Sequence, residues 1–151
     1  MNDDQLKLDN QLCHRLYMAS NGLIRAYRPL LEALNLTYPQ YVVMMALWEQ
    51  DGISIQRLLA KTVIDGGAMS LILKKMKEKD LLSITQSEED KRKKLLHLLP
   101  AGKALKITAA EVPTKIRCAF PNIAPDEVQI LNRLLDKVCL DLNADEPEDN
   151  K

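Results

Sequence analysis

A short helix, a three-residue turn and a second helix are predicted over residues 54–79, and this pattern limits the possible folds most. Ser54 can cap the short helix, which should end near Lys61, and Asp65-Gly66-Gly67 signals the next helix start. The second helix has an apolar face at spacings of three, four and seven residues, formed by Met69, Ile72, Leu73 and Met76. Its other face is formed by Gly67, Ser70, Leu71, Lys74 and Lys75. The pattern predicts a helix-turn-helix.

A charged hairpin is expected directly after the second helix. Residues 81–85 and 94–98 are short extended runs, and the residues that join them are almost wholly charged. Positive charge is concentrated in this part of the chain, because residues 74–94 carry a net charge of +3 whereas both flanking segments are net negative. A hairpin with a charged tip after a helix-turn-helix is a wing, and a local basic surface can bind DNA phosphates. From charge alone, a solvated helix face remains an open alternative.

Amphipathic helices are expected on both sides of this module. Near the N-terminus, Asp9 can cap a helix whose apolar residues recur about every 3.6 positions, and Pro29 should kink or split it. The sequence Thr37-Tyr38-Pro39-Gln40 predicts a capping box that opens a helix ending near Gln50.

Toward the C-terminus, one helix should run on after Pro100-Ala101-Gly102 and meet Pro113 and Pro121 in its distal part, and Pro125 should open the last helix. That last helix carries a wide apolar stripe of Val128, Leu131, Leu134, Leu135, Val138 and Leu142. The helices at the two ends carry more apolar surface than a small winged module can cover, which predicts a homodimer built from both ends of the chain. Residues 143–151 are expected to be an acidic, frayed tail.

Composition excludes several classes of protein. The chain has 151 residues, of which 46% are hydrophobic and 28% charged, as expected for one ordinary globular domain. No apolar run approaches the roughly 20 residues that span a bilayer, and the acidic, polar start is unlike a secretory leader. Three cysteines without paired spacing argue against a disulfide framework and for a reducing cytoplasm. Without a metal-ligand spacing or a phosphate-binding glycine loop, no metal, cofactor or catalytic residue is expected.

The chain resembles the MarR-type winged-helix regulators from about residue 8 to residue 142, and within them the peroxide-sensing OhrR branch. The stretches that carry the resemblance are Leu8-Asp9-Asn10-Gln11-Leu12-Cys13, Ala26-Tyr27-Arg28-Pro29-Leu30-Leu31, Leu36-Thr37-Tyr38-Pro39-Gln40-Tyr41 and, in the wing, Asp90-Lys91-Arg92. The resemblance implies a mainly α fold, with a winged helix-turn-helix lobe at about residues 37–99 and a two-stranded β-wing. The dimerisation helices would be residues 8–36 and 100–142.

The resemblance also implies roles for individual residues. Cys13 would be the reactive thiolate, Tyr27 and Tyr38 would hydrogen-bond it, and Cys118 would resolve its oxidised form. Arg92 would enter the minor groove. The candidate DNA-binding residues of the second helix and the wing are Gly67, Ala68, Ser70, Lys74, Lys75, Asp90, Arg92 and Lys93.

Three departures from the OhrR branch bear on these roles. The second helix begins Asp65-Gly66-Gly67-Ala68-Met69-Ser70 where the branch usually has Asp-Ser-Gly-Thr-Leu-Thr, so two hydroxyl donors are lost. Ile84 and Gln86 stand where the branch usually has wing arginines, and His14 stands where a phenylalanine is usual. Both of the first two departures weaken the expected contacts with DNA.

The chemistry of Cys13 is consistent with its implied role. It lies four residues after Asp9, about one turn into the helix, where the partial positive charge of a helix start favours a thiolate, the nucleophilic form. Tyr27 follows 14 residues later, which is about 21 Å along a straight helix. The two residues therefore cannot touch within one unbroken helix. Because Pro29 follows Tyr27, folding back is unfavourable, and a contact predicts that the site straddles the dimer interface.

Each cysteine and tyrosine also has a purely structural interpretation. Cys13 could be a small apolar residue of an amphipathic helix, and the tyrosines could be ordinary interface packing. Cys118 lies between Pro113 and Pro121, in a stretch expected to be loose enough to reach an oxidised Cys13, but it could be incidental. Cys139 falls on the apolar stripe of the last helix, so core packing is expected for it.

The leading hypothesis is a cytoplasmic, homodimeric repressor that binds a pseudo-palindromic double-stranded operator. An organic hydroperoxide would oxidise Cys13, Cys118 of the partner subunit would capture it as a disulfide, and the dimer would leave the DNA. One alternative is a regulator released by a small phenolic or aromatic ligand, with incidental cysteines. A thiol peroxidase that uses Cys13 and a pure scaffold protein are further alternatives, although the first lacks flanking catalytic groups and the second leaves the charged wing unexplained.

Overall fold

The computed structural model describes residues 3–143, which are mainly helical and contain one two-stranded antiparallel sheet. The elements in chain order are α1 (Leu12–Glu32), α2 (Tyr38–Glu49), α3 (Ile55–Thr62), α4 (Gly66–Glu78), β1 (Leu82–Gln86), β2 (Lys94–Leu98), α5 (Pro100–Ala109), α6 (Val112–Arg117) and α7 (Pro125–Asn143). Two short 3-10 helices, Asp3–Leu6 and Leu8–Asn10, precede α1. The predicted mainly α, winged fold is confirmed. Apart from Asn143, the predicted acidic tail lies outside the described residues.

The chain forms two compact units that divide after Ile116. The first contains a core built around α2, whose residues Val43, Met44 and Leu47 are at most 1% exposed. Core residues run from Leu31, near the end of α1, to Val112, at the start of α6, and we call this part of the chain the winged lobe. Within the described residues no helix combines the length and hydropathy needed to span a membrane.

The helix-turn-helix forms as its capping residues predict. Ser54 Oγ accepts the Arg57 N–H at 3.1 Å and so opens α3. The Asp65 carboxylate accepts the N–H groups of Gly67 and Ala68 at 2.9 and 3.2 Å and so opens α4. Between the two helices lies the expected three-residue turn, in which Val63 adopts a left-handed conformation with φ +54°.

The predicted capping box of α2 is also present. Thr37 Oγ1 accepts the Gln40 N–H at 3.4 Å, and Gln40 Oε1 accepts the Thr37 N–H at 3.2 Å. The box fixes where α2 begins, and α2 ends at Glu49, with Gln50 as its C-cap.

The wing pairs β1 with β2 in a register that matches Leu82 with Leu98 and Gln86 with Lys94. Leu82, Leu96 and Leu98 are buried, which fixes the inner face of the hairpin against the lobe. β1 begins one residue later than predicted, and β2 has the predicted bounds.

The expected cap of α1 is wrong, and the expected split at Pro29 does not occur. The helix begins at Leu12 after an N-cap at Gln11, while Asp9 lies in the preceding 3-10 helix and therefore does not cap it. Pro29 does not split the helix, which continues to Glu32. A proline so close to the end removes one backbone hydrogen bond while few residues remain to be displaced.

The expectation of one helix that runs on from Pro100 to meet Pro113 and Pro121 is also wrong. α5 ends at Ala109, and α6 begins at Val112, so that Pro113 lies in the first turn of a new helix, where its missing N–H costs nothing. Pro121 lies in the connection to α7, and Pro125 opens α7 as predicted.

Candidate nucleic-acid interface and thiol site

One face of α4 is directed to solvent along its whole length. Met69, Leu73 and Met76 anchor the opposite face in the core. The exposed face carries five of the predicted DNA-binding residues: Gly67, Ala68, Ser70, Lys74 and Lys75. Ser70 Oγ donates to the Gly66 carbonyl oxygen at 3.1 Å, so its hydroxyl already has a partner within the helix. The chemistry available to a ligand on this face is therefore mostly backbone, methyl and ammonium.

A groove of about 880 Å³ separates α4 from the wing. Its lining includes three lysines, Lys74, Lys77 and Lys94, and one carboxylate, Glu78. Ile84 and Gln86, the two positions where arginine is usual in the OhrR branch, line its wing side. The groove is thus net basic even without those arginines. Lys77 and Lys94 were not among the predicted site residues, although Lys77 follows Lys74 by three positions on the helix.

The wing tip is a tight, charged turn. The Ser87 N–H donates to the Lys93 carbonyl oxygen and the Lys93 N–H to the Asp90 carbonyl oxygen, both at 2.9 Å. Asp90 Oδ1 accepts the backbone N–H of Arg92 at 3.1 Å and its Nε–H at 3.2 Å. These two hydrogen bonds, backbone first, lower the pKa of the Asp90 carboxyl below its usual range. Arg92 itself is 93% exposed, so Asp90 orients a guanidinium that extends into solvent.

Cys13 is the second residue of α1 and is exposed. It therefore lies closer to the helix start than its distance from Asp9 suggested. Because α1 is continuous to Glu32, Cys13 and Tyr27 of one chain lie about 21 Å apart along the axis. As the spacing predicted, the two residues are not brought together within a single chain.

Tyr27 and Tyr38 are brought together. Their ring centroids are 5.0 Å apart, and Tyr41, which sequence reasoning did not single out, lies 6.0 Å from Tyr27. Burial, and next the neighbouring Tyr38 hydroxyl, raises the pKa of Tyr27 above its usual value. The half-buried Tyr27 therefore stays a phenol, which can donate a hydrogen bond, over a wider pH range.

Cys118 follows α6 directly and is exposed. The segment around it is held more closely than its prolines suggested. The Arg117 guanidinium donates to the Ile123 carbonyl oxygen at 3.0 Å and lies 4.7 Å from the centre of the Phe120 ring. Cys139 is exposed on α7, so the expectation that it packs in the core is wrong for the single chain. Within residues 3–143 no cluster of three His, Cys, Asp or Glu side chains could hold a metal ion.

A capped helix-turn-helix followed by a two-stranded wing defines a winged-helix protein. The model of the MarR family matches residues 36–94. The organic hydroperoxide resistance transcriptional regulator of Bacillus subtilis is 38% identical over 113 residues, which cover 75% of this chain and 77% of that relative. The chain therefore belongs to the MarR family.

Two further relatives extend the similarity over most of the chain. The HTH-type transcriptional regulator MgrA of Staphylococcus aureus is 34% identical over 136 residues, which cover 89% of this chain and 92% of MgrA. The structure of BpsR of Bordetella bronchiseptica, whose DNA binding is regulated by 6-hydroxynicotinic acid, superimposes with a TM-score of 0.78 at 27% identity. That match covers 86% of this chain and 99% of BpsR.

Proposed function

We propose that the chain is a cytoplasmic, DNA-binding transcriptional repressor. The observation that carries this proposal is the pairing of a fully exposed α4 face with a wing whose tip presents Arg92, oriented by Asp90. The α4 face would enter the major groove while Arg92 enters the adjacent minor groove. The lysines that line the intervening groove would neutralise phosphates. The regulators of Bacillus and Staphylococcus to which the chain is similar support this role.

The same proposal includes a homodimer. α1 and α7 each expose large apolar side chains, among them Leu12, Tyr17 and Met18 on α1 and Leu134, Leu140 and Leu142 on α7. Such surfaces are usually covered by another protein. A two-fold dimer would place two α4 helices on successive turns of one duplex, and its operator would be pseudo-palindromic.

For the inducer we propose an organic hydroperoxide that reacts at Cys13. The Cys13 thiolate attacks one peroxide oxygen, the O–O bond breaks, and the products are a cysteine sulfenic acid and an alcohol. The Cys118 thiol of the partner subunit then displaces water from that sulfenic acid and forms a disulfide. The exposure of Cys13 and Cys118 supports both steps, since each needs an accessible sulfur. The similarity to the Bacillus hydroperoxide resistance regulator supports the class of oxidant.

The tyrosine pair gives the site its second half. Tyr27 and Tyr38 lie in contact, and the length of α1 places them out of reach of Cys13 in their own chain. In the dimer, the Cys13 of one chain would meet the tyrosines of the other. Oxidation would then change contacts that exist in only one state, and this difference in free energy would shift the dimer away from its DNA-binding form.

The experiment that tests this function is the intact mass of the chain after one equivalent of cumene hydroperoxide, without reductant. Wild type should become a covalent dimer, whereas Cys13→Ser and Cys118→Ser should both remain monomeric in mass. Cys139→Ser is the matched control, because it removes a third exposed thiol and should behave as wild type. A mass that does not change in any sample would overturn peroxide sensing. Continuous turnover of hydroperoxide with a thiol donor would instead indicate a thiol peroxidase.

A second candidate is a regulator released by a small aromatic ligand. It is favoured by the likeness to BpsR, whose DNA binding responds to 6-hydroxynicotinic acid, and by a largely apolar pocket of about 330 Å³ between α2 and α5. Tyr41, Met45 and Trp48 line that pocket. This candidate predicts that Cys13→Ser retains its response to the inducer, whereas peroxide sensing predicts that the variant loses it.

A further inference from the structure

Lys79 joins the end of α4 to the turn that precedes α2. It is the C-cap residue of α4, and its Nζ donates to the Asn35 carbonyl oxygen at 2.6 Å and to Gln40 Oε1 at 3.1 Å. Hydrogen bonds from an ammonium are stronger than those between neutral groups. Lys79 therefore cross-links the end of α4 to two residues that lie 44 and 39 positions before it in the sequence.

Gln40 is an unusual acceptor for that lysine. Of all the polar and charged residues among residues 4–142, Gln40 alone is buried, with 3% of its surface exposed. The same Oε1 atom that receives Lys79 also accepts the Thr37 N–H of the capping box. Because one buried oxygen accepts both hydrogen bonds, a movement of the Gln40 side chain changes the capping box and the lysine contact together.

The capping box also contains one residue of the proposed sensor. Tyr38 is the first residue of α2, between Thr37 and Gln40, and its ring packs 5.0 Å from Tyr27. Tyr38 is therefore part of the backbone turn whose Thr37 N–H donates to Gln40 Oε1, so a shift of the Tyr38 backbone would disturb that hydrogen bond. Met69, Leu73 and Met76 pack α4 against the core along one face, so α4 responds to a displacement at its C-terminal end as a rigid element.

We propose that Lys79 is a positioning residue, through which the Tyr27–Tyr38 pair controls the orientation of α4. The inference rests on the proposed function, in which α4 contacts DNA and oxidation at Cys13 disturbs the tyrosines. Lys79 itself needs no contact with DNA or with the thiol. Lys79 transmits the state of the tyrosine pair to α4 through its two hydrogen bonds.

The link can be tested without DNA or oxidant by a double-mutant cycle. Tyr38→Ala should lower the hydrogen-exchange protection of the Asp80 and Leu81 amides, which close the end of α4, about fivefold. The Lys79→Met background keeps the aliphatic stem but removes the ammonium. There, Tyr38→Ala should change the hydrogen-exchange protection of those amides by less than about 1.5-fold. An equal loss of protection in both backgrounds would overturn the proposal, since the two residues would then act independently.

A second arm measures the switch itself, on a duplex selected from random sequence by the reduced wild type. Oxidation by cumene hydroperoxide should weaken wild-type binding about 100-fold and Lys79→Met binding less than about fivefold. Lys79→Arg, which keeps a cationic donor, should restore the wild-type response. Lys103→Met on α5 is the control for loss of one exposed positive charge and should respond as wild type.

The two arms separate the two possible failures. If wild type does not respond to peroxide, the proposed peroxide sensing is wrong, and the exchange cycle still decides whether Lys79 links the tyrosines to α4. If wild type responds and Lys79→Met responds equally, the function stands and the role of Lys79 is refuted. Lys79→Arg is the control for any effect of the substitution itself. It should keep the response to oxidation, whereas Lys79→Met should lose it.

Discussion

The winged lobe and the last helix differ in how they bury their apolar side chains. In α2, Val43, Met44 and Leu47 are at most 1% exposed, because helices and strands of the same chain surround them. In α7, Leu131, Leu134 and Leu142 are 42%, 51% and 69% exposed. Both helices are rich in leucine, valine or methionine, but α2 has one charged residue and is apolar on all sides, whereas α7 has six and is apolar on one face. The lobe buries its apolar side chains within one chain, whereas the apolar stripe of α7 remains exposed in the single chain.

The largest expected effect comes from placing a charge on the apolar stripe of α7. In Leu134→Glu, a carboxylate would enter the surface that we propose is covered by a second copy, and its burial without a partner is costly. We expect the chain to become monomeric in sedimentation equilibrium and to lose more than about 100-fold in affinity for a two-half-site duplex.

Asn132→Glu provides the matched control on the same helix. It introduces the same charge beside the apolar stripe, at an exposed position, and should leave the dimer intact. If Leu134→Glu keeps the wild-type mass, the stripe is not the dimer contact, and the contrast between lobe and last helix has another cause.

Within the lobe, the backbone packs closely where α5 begins. A Cβ added at Gly102 would lie 2.2 Å from the Leu81 carbonyl oxygen, which belongs to backbone and cannot yield cheaply. The Gly102 carbonyl also accepts the Trp48 indole N–H at 2.9 Å. We expect Gly102→Ala to lower the free energy of unfolding by about 2–3 kcal/mol, as measured by urea denaturation.

The same substitution at Gly66 should have the opposite or no effect. Nothing lies within 4 Å of a Cβ built there, and alanine favours helix over glycine by up to about 1 kcal/mol. Equal destabilisation by both variants would show that the Gly102 contact is not the cause.

An intermediate effect is expected at the wing tip. Arg92→Ala removes the exposed guanidinium, which contributes nothing to the core, so thermal stability should be unchanged. Binding to every operator tested should weaken about 10-fold, and the dependence of affinity on salt should fall by about one counterion per half-site. Unchanged affinity would remove the wing from the proposed interface.

Sequence reasoning located the helix-turn-helix well because its signals are local. Ser54 and Asp65 cap their helices by hydrogen bonds to N–H groups two or three residues away, and such contacts are determined by the sequence itself. The intervening turn was also predicted, although the left-handed position that glycine usually fills is occupied by Val63, at φ +54°. The Val63 side chain is 77% exposed, so the turn is held by the backbone, where the Val63 N–H donates to the Leu59 carbonyl oxygen at 2.9 Å.

The errors lie where local signals compete. Asp9 has the right chemistry for an N-cap, yet the chain turns through a 3-10 helix first, so the N-cap of α1 is Gln11, two residues later. The break between α5 and α6 precedes Pro113, which could have signalled a new first turn. The Lys79–Gln40 contact spans 39 residues, and no pattern in the sequence marks a buried glutamine for a distant lysine.

The smallest effect tests the tyrosine pair, which packs against the core of the winged lobe. Burial raises the pKa of Tyr27, so its contribution to stability is fully present below the unfolded value of about 10 and is lost as pH rises further, since only the unfolded phenol ionises readily. The free energy of unfolding should therefore fall between about pH 9 and pH 11 more steeply for wild type than for Tyr27→Phe. Parallel curves would mean that Tyr27 is as well solvated as an unfolded tyrosine. A steeper wild-type curve would mean that burial keeps Tyr27 a phenol, and so a hydrogen-bond donor, to a higher pH than a solvated tyrosine.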